Sequence, residues 1–104
     1  MSGDVELLRG VTLVEAPGHT PGTMAMRVDL PDTGSMIFTS DAVYMGDSYG
    51  PPATPAAIVN DLSAWYGSVE KIRGIAEKSG TMVVFGHDAA QLRSMRLAPA
   101  GHYA

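Results

Sequence analysis

Three apolar runs in this 104-residue chain each stop at a side chain able to ligate a metal ion. Val11-Thr12-Leu13-Val14 leads into the Pro/Gly turn Pro17-Gly18-His19-Thr20-Pro21-Gly22, Met36-Ile37-Phe38-Thr39-Ser40 delivers Asp41, and Thr81-Met82-Val83-Val84-Phe85-Gly86 delivers His87. An apolar run that ends this way reads as a strand presenting a side chain at one edge of a sheet, and three such edges can converge on one point. Two histidines and an aspartate form a nitrogen and oxygen ligand set suited to zinc or a similar divalent ion. The chain has no cysteine, which excludes disulfides and a thiolate site and leaves His and carboxylate as the strong ligands.

The segments between these runs have their own signals. Val5–Leu8 and Val11–Val14 flank Arg9-Gly10 and predict a hairpin. Thr23–Leu30 alternates, with Met24, Met26, Val28 and Leu30 on one face, and predicts a half-buried strand; Pro31-Asp32-Thr33-Gly34 has turn chemistry and leads into Ser35–Ser40. Asp41 to Pro55 lacks periodicity and reads as a surface loop. Thr54 as N-cap and Pro55 at the first helical position predict a helix with an apolar stripe of Ile58, Leu62, Trp65, Val69, Ile72 and Ile75, ended by Gly80. Gly67 and Gly74 each cost that helix roughly 1 kcal/mol against alanine, so it depends on packing against the sheet. Asp88–Met95 reads as a short helix and Arg96–Pro99 as a last extended piece. No repeat or linker divides the chain, so residues 1–104 form a single unit.

Charge and length exclude several classes. Seven basic against eleven acidic residues give a net charge of −4 with no Lys/Arg cluster, which argues against nucleic-acid binding. No apolar run approaches the roughly 18 residues of a membrane span, and the N-terminus lacks the basic and apolar parts of a signal peptide. A cytoplasmic protein with no membrane partner is the expectation.

Taken singly, each candidate residue has an ordinary reading. A histidine in a Gly/Pro turn is more often a turn residue than a ligand, Asp41 suits a loop cap, and Tyr44 suits an amphipathic ring packed on a loop. Asp88 fits the cap of the helix it begins, His102 an exposed tail, and Trp65 and the methionines the core. No glycine-rich nucleotide fingerprint occurs.

Taken together, P-G-H-T-P-G, S-D-A-V-Y and F-G-H-D resemble the second half of a metallo-β-lactamase-fold hydrolase, and most closely the N-acyl-homoserine lactone lactonases. The resemblance runs from about Val5 to the C-terminus and rests on the motif order, on spacings of 22 and 46 residues, and on Tyr44 three places after Asp41. It implies an α+β fold, half of an αββα sandwich, with a mostly antiparallel sheet and covering helices. It implies two zinc ions or other divalent metals, with His19 on one, His87 on the other and Asp41 bridging, and Tyr44 hydrogen-bonded to the substrate carbonyl. The implied reaction is hydrolysis of the ester bond of an N-acyl-homoserine lactone or related small-molecule lactone.

The superfamily's upstream motif, H-x-H-x-D-H, does not occur in the chain. The chain therefore reads as the C-terminal part of such a domain, with the N-terminal half, its further metal ligands and an aspartate for proton transfer supplied elsewhere. A sheet in that position leaves an edge and a face uncovered, so the isolated chain is expected to be unstable or to self-associate. The rival expectation is a non-catalytic metal-binding half-domain that pairs with itself as a homodimer or with another chain.

Overall fold

The structure is a computed structural model that describes residues 3–55, 59–95, 101 and 103. Strands β1 (Val5–Leu8), β2 (Val11–Glu15), β3 (Met24–Leu30), β4 (Gly34–Phe38) and β5 (Met82–Val84) form one sheet in chain order. The first four pair antiparallel, and β5 joins β4 parallel. A parallel neighbour needs a long crossover. Here it contains a 3₁₀ turn at Ser40–Ala42, helix α1 (Gly46–Tyr49) and helix α2 (Leu62–Ser79); α3 (Ala89–Ser94) follows β5. The mostly antiparallel α+β architecture matches the expectation.

Pairing register sorts the side chains. Val14 lies opposite Ala25, and Arg27 opposite Ile37, on the face that meets α2. There Val14, Ala16, Ala25 and Ile37 pack with Ala42, Val43, Trp65, Val69 and Ile72 as the buried core. Burying a side chain such as Ile37 or Ile72, both 0% exposed, contributes on the order of 1.5–3 kcal/mol. The alternation read in β3 is real, but the Ala25 face, not the methionine face, packs against the helix. On the other face Leu13, Met26, Phe38 and Val84 stand abreast, and Met26 is 37% exposed. Leu7, Leu8 and Met82 are also exposed.

Two other expectations change. The helix does not open at Thr54-Pro55, which lie in coil; Thr54 N–H is spent on Ser48 O at 2.9 Å. Asp61 is the N-cap instead, its carboxylate accepting from Ala64 N at 3.0 Å, so α2 starts seven residues later and Leu62, in its first turn, is 51% exposed. Trp65, Val69 and Ile72 keep their stripe positions, and Gly80 closes the helix at φ 61°. The segment after Asp41 is also no plain surface loop. Ala42, Val43 and Ser48 are buried, because apolar Ala42 and Val43 complete the core beneath α2.

Asp88 caps α3 as expected, accepting from Gln91 N. Ile58, the extended piece read at Arg96–Pro99, and His102 lie outside the described residues. Among the described residues no helix is long and apolar enough to cross a membrane.

Candidate active site

Each candidate side chain sits just beyond a strand, and local contacts explain why. The turn after β2 lies against the start of α2: Gly18 O accepts from Asp61 N at 2.9 Å, and Pro17 O accepts from Ser68 Oγ at 2.6 Å. Gly18, at φ 145°, comes so close that an added Cβ would lie 2.5 Å from Trp65 Cα. Only glycine permits that approach, and it sets the position of His19.

After β4, Thr39 is fully buried; its N donates to Val84 O at 2.9 Å and its hydroxyl to Val43 O at 2.8 Å. Trp65 Nε1 donates to Ala42 O at 2.7 Å, so the helix holds the 3₁₀ turn that carries Asp41. Ser40 takes φ 50°, unusual for a residue with a side chain, and its hydroxyl donates to Met24 O. After β5, Gly86 lies against this turn, and a Cβ there would meet Ser40 O at 2.1 Å. Gly86 N donates to Val43 O at 3.1 Å and His87 N to Tyr44 O at 2.8 Å, which continues the β4–β5 pairing into the site.

The three ligand-type residues meet at Asp41. Its Oδ1 lies 3.0 Å from His87 Nε2 and its Oδ2 3.8 Å from His19 Nε2. Tyr44 stands between the two imidazoles, stacked on His87 with ring centroids 4.2 Å apart and planes 25° from parallel, and 5.8 Å from His19. All four sequence candidates are thus brought together. Below them lies a cavity of about 10 Å³, room for one water. A cleft of about 330 Å³ opens beside His87, lined by Met45, Gly46, Asp47, Asp88, Ala89 and Ala90.

Among the described residues no group of three or more His, Cys, Asp or Glu side chains is arranged as a ready metal cage. The geometry consists of two histidine–carboxylate pairs sharing one aspartate. A carboxylate accepts, so His87 Nε2 carries the proton in the 3.0 Å bond; a metal ligand must shed that proton, leaving the same nitrogen to serve an ion. Two imidazole nitrogens and one carboxylate are donors that a divalent ion takes; shared between two ions they would give each one histidine and the common aspartate. That is fewer ligands than the three or four protein groups zinc takes.

Sequence reasoning missed part of the support. Asp88 does more than cap α3: its second oxygen accepts from Gly46 N at 2.9 Å. Both backbone bonds hold its carboxyl below the usual carboxylate range. Gln91 accepts from Phe85 N at 2.8 Å and donates to Val83 O at 2.6 Å, standing in for a strand neighbour beside β5. Nothing in the local sequence marks Gln91 for that task, whereas Gly18 and Gly86, directly before His19 and His87, make the close backbone approaches and stand in plain view in the sequence.

No sequence-family model matches the chain. Individual proteins do. Over 93 residues it is 38% identical to the N-acyl homoserine lactonase AttM of Azorhizobium caulinodans, covering 89% of this chain and 35% of that protein. Over 99 residues it is 35% identical to the N-acyl homoserine lactonase AiiB of Agrobacterium fabrum, covering 94% and 36%. A solved N-acyl homoserine lactone hydrolase, with the product N-hexanoyl-L-homoserine bound at its catalytic metal centre, superposes with a TM-score of 0.87 at 30% identity, over 95% of this chain and 39% of that one. The chain is homologous to part of the N-acyl homoserine lactonases and shares that part of their metallo-β-lactamase-like fold. This lactonase homologue spans little more than a third of the length of the relatives it matches.

Proposed function

We propose that this chain is the C-terminal part of a cytoplasmic, zinc-dependent lactonase that hydrolyses N-acyl-homoserine lactones or related lactones, a quorum-quenching activity. The observation that carries the reading is the Asp41 carboxylate, with one oxygen toward each histidine, and Tyr44 stacked on His87.

In this reading His19 and His87 would each hold one of two zinc ions, with Asp41 placed within reach of both histidines. When bound, such a pair supplies Lewis acidity and lowers the pKa of water so that hydroxide is available near neutral pH. Hydrolysis adds one water across the ester: the lactone carbonyl carbon gains the water oxygen, the ring C–O bond breaks, and the departing alkoxide takes a proton. Tyr44 contributes by donating its phenol O–H to the carbonyl oxygen as negative charge develops there. His87 holds the phenol ring by stacking, and Ala42 and Val43, packed in the core, hold the turn that carries Asp41. The cleft beside His87 has the volume of a small-molecule site.

The apolar row Leu13, Met26, Phe38 and Val84, with Met26 exposed and the other three half-buried, favours pairing, either with an N-terminal half of the same domain or, in the rival reading, with a second copy as a non-catalytic metal-binding module. Native mass spectrometry of the chain titrated with zinc, followed by a lactone-hydrolysis assay of the complete protein, separates the two. Stoichiometric zinc and turnover only in the complete protein support the lactonase. A defined dimer of this chain that holds zinc, together with a complete protein that leaves lactones intact, would overturn it.

A further inference from the structure

The Tyr44–His87 stack joins two segments separated by more than forty positions, and something must hold them in register. Backbone bonds do part of this: Gly86 N to Val43 O and His87 N to Tyr44 O. The ladder then stops, because the next contact is made by a side chain. Asp88, half-buried, gives Oδ2 to Gly46 N at 2.9 Å and Oδ1 to Gln91 N at 2.9 Å. One carboxylate therefore ties the segment two residues beyond Tyr44 to the first turn of the helix that follows His87. Gln91 in turn holds Phe85 N and Val83 O, so the strap is anchored on β5.

We propose that Asp88 is a positioning residue, its carboxylate strapping the Tyr44 segment to the His87 segment so that the phenol stays stacked and aimed at the substrate carbonyl. The inference rests on the lactonase reading for the role of Tyr44. It does not rest on it for the strap itself. Asp88 touches neither Asp41 nor the rings in any contact described above; it acts through the backbone of Gly46.

Two variants cut the same bond from opposite sides. Asp88→Asn has one side-chain oxygen for two N–H groups, so one of the two bonds must be lost. Gly46→Pro deletes the donor and sets a ring methylene where the amide hydrogen pointed, so the Asp88 carboxylate must swing away. Proline is tolerated at the first position of a helix, which Gly46 occupies in α1, and Met45 before it is already extended at φ −144° and ψ 158°.

In the complete protein both variants should keep their zinc and their far-UV spectrum. Both should lose kcat by about 10–100-fold, the usual effect of groups that orient an active-site residue, with a much smaller change in KM. NOEs between the Tyr44 and His87 ring protons should weaken in both. In a Tyr44→Phe background neither variant should lower kcat further, since the phenol through which the strap acts is gone. A further loss of kcat in that background equal to the loss with Tyr44 present would make Asp88 a general structural residue and overturn the proposal, as would unchanged kcat and unchanged ring NOEs. Failure of the lactonase reading is distinguishable: the unmutated protein then leaves lactones intact. The ring NOEs alone then decide the strap, and their persistence in both variants overturns it.

Discussion

Asp41 meets His87 at 3.0 Å across 46 positions of sequence, oxygen to ring nitrogen, at the point where β4 and β5 end side by side. The contact follows from parallel pairing, since Phe38 is level with Val84 and each strand runs on for three residues to its ligand. An antiparallel β5 would have carried His87 to the far end of the sheet.

For Asp41→Ala in the complete protein, zinc content and turnover should fall together, because the carboxylate serves both histidine positions. The loss should exceed the roughly 10–100-fold typical of groups that only orient a ligand. Metal analysis beside a lactone assay checks this, and full zinc occupancy in the variant would remove the bridging role.

Tyr44→Phe keeps the ring and its stack on His87 while deleting the O–H. Turnover should drop by about 10²–10³-fold, the usual effect of losing one oxyanion donor, with zinc retained. Unchanged kcat would take Tyr44 out of the chemistry.

Gly86→Ala is expected to be among the most damaging small substitutions. Its methyl would lie 2.1 Å from Ser40 O, and backbone must move to relieve the clash. Overpacking of this kind costs about 1–3 kcal/mol, and the movement would separate Asp41 from His87. A lower urea midpoint combined with weakened zinc binding is the expected signature; wild-type values for both would show that the approach is not constraining.

Gly67→Ala and Gly74→Ala should go the other way. Both lie inside α2, and an added Cβ would meet nothing within 4 Å. Each should stabilise the protein by up to about 1 kcal/mol, with no effect on zinc. Thermal or urea unfolding measures it, and a destabilised variant would mean that the helix face at that position is covered in the assembled protein.

Acid should weaken the link that Asp4, just before β1, makes to α2. Partial burial works against the charge of Asp4, but the hydrogen bond from Lys71 Nζ at 2.8 Å, the Glu15 N–H and the nearby ammonium charge together hold its pKa below the ordinary carboxylate value. Because folding lowers this pKa, the unfolded chain binds the proton more readily. The stabilisation is therefore full above the ordinary carboxylate range and is lost as the pH falls through the lowered value. Asp4→Asn should show a smaller drop in urea midpoint between pH 7 and pH 3 than the parent; equal drops would remove Asp4 from the acid response.

Much of the fold and the site could be read from residue order alone. Strand alternation, the turns at Arg9-Gly10 and Pro31–Gly34, and three apolar runs ending on His19, Asp41 and His87 are local patterns, dictated by side-chain periodicity and backbone preference within a few residues. The start of α2 was not local. Thr54-Pro55 carries a good capping signal, yet Asp61 prevails because its N–H and carboxylate are both used where the His19 turn meets the helix. Nor could periodicity say which face of β3 is buried, since both faces carry apolar residues and only α2 decides that Ala25 goes inward. The second bond of Asp88 likewise depends on where Gly46 lies in space. Sequence by itself singled out His19, Asp41, Tyr44 and His87 as candidates; the tertiary structure alone decided how they face one another, because those distances are set by contacts between segments far apart in the chain.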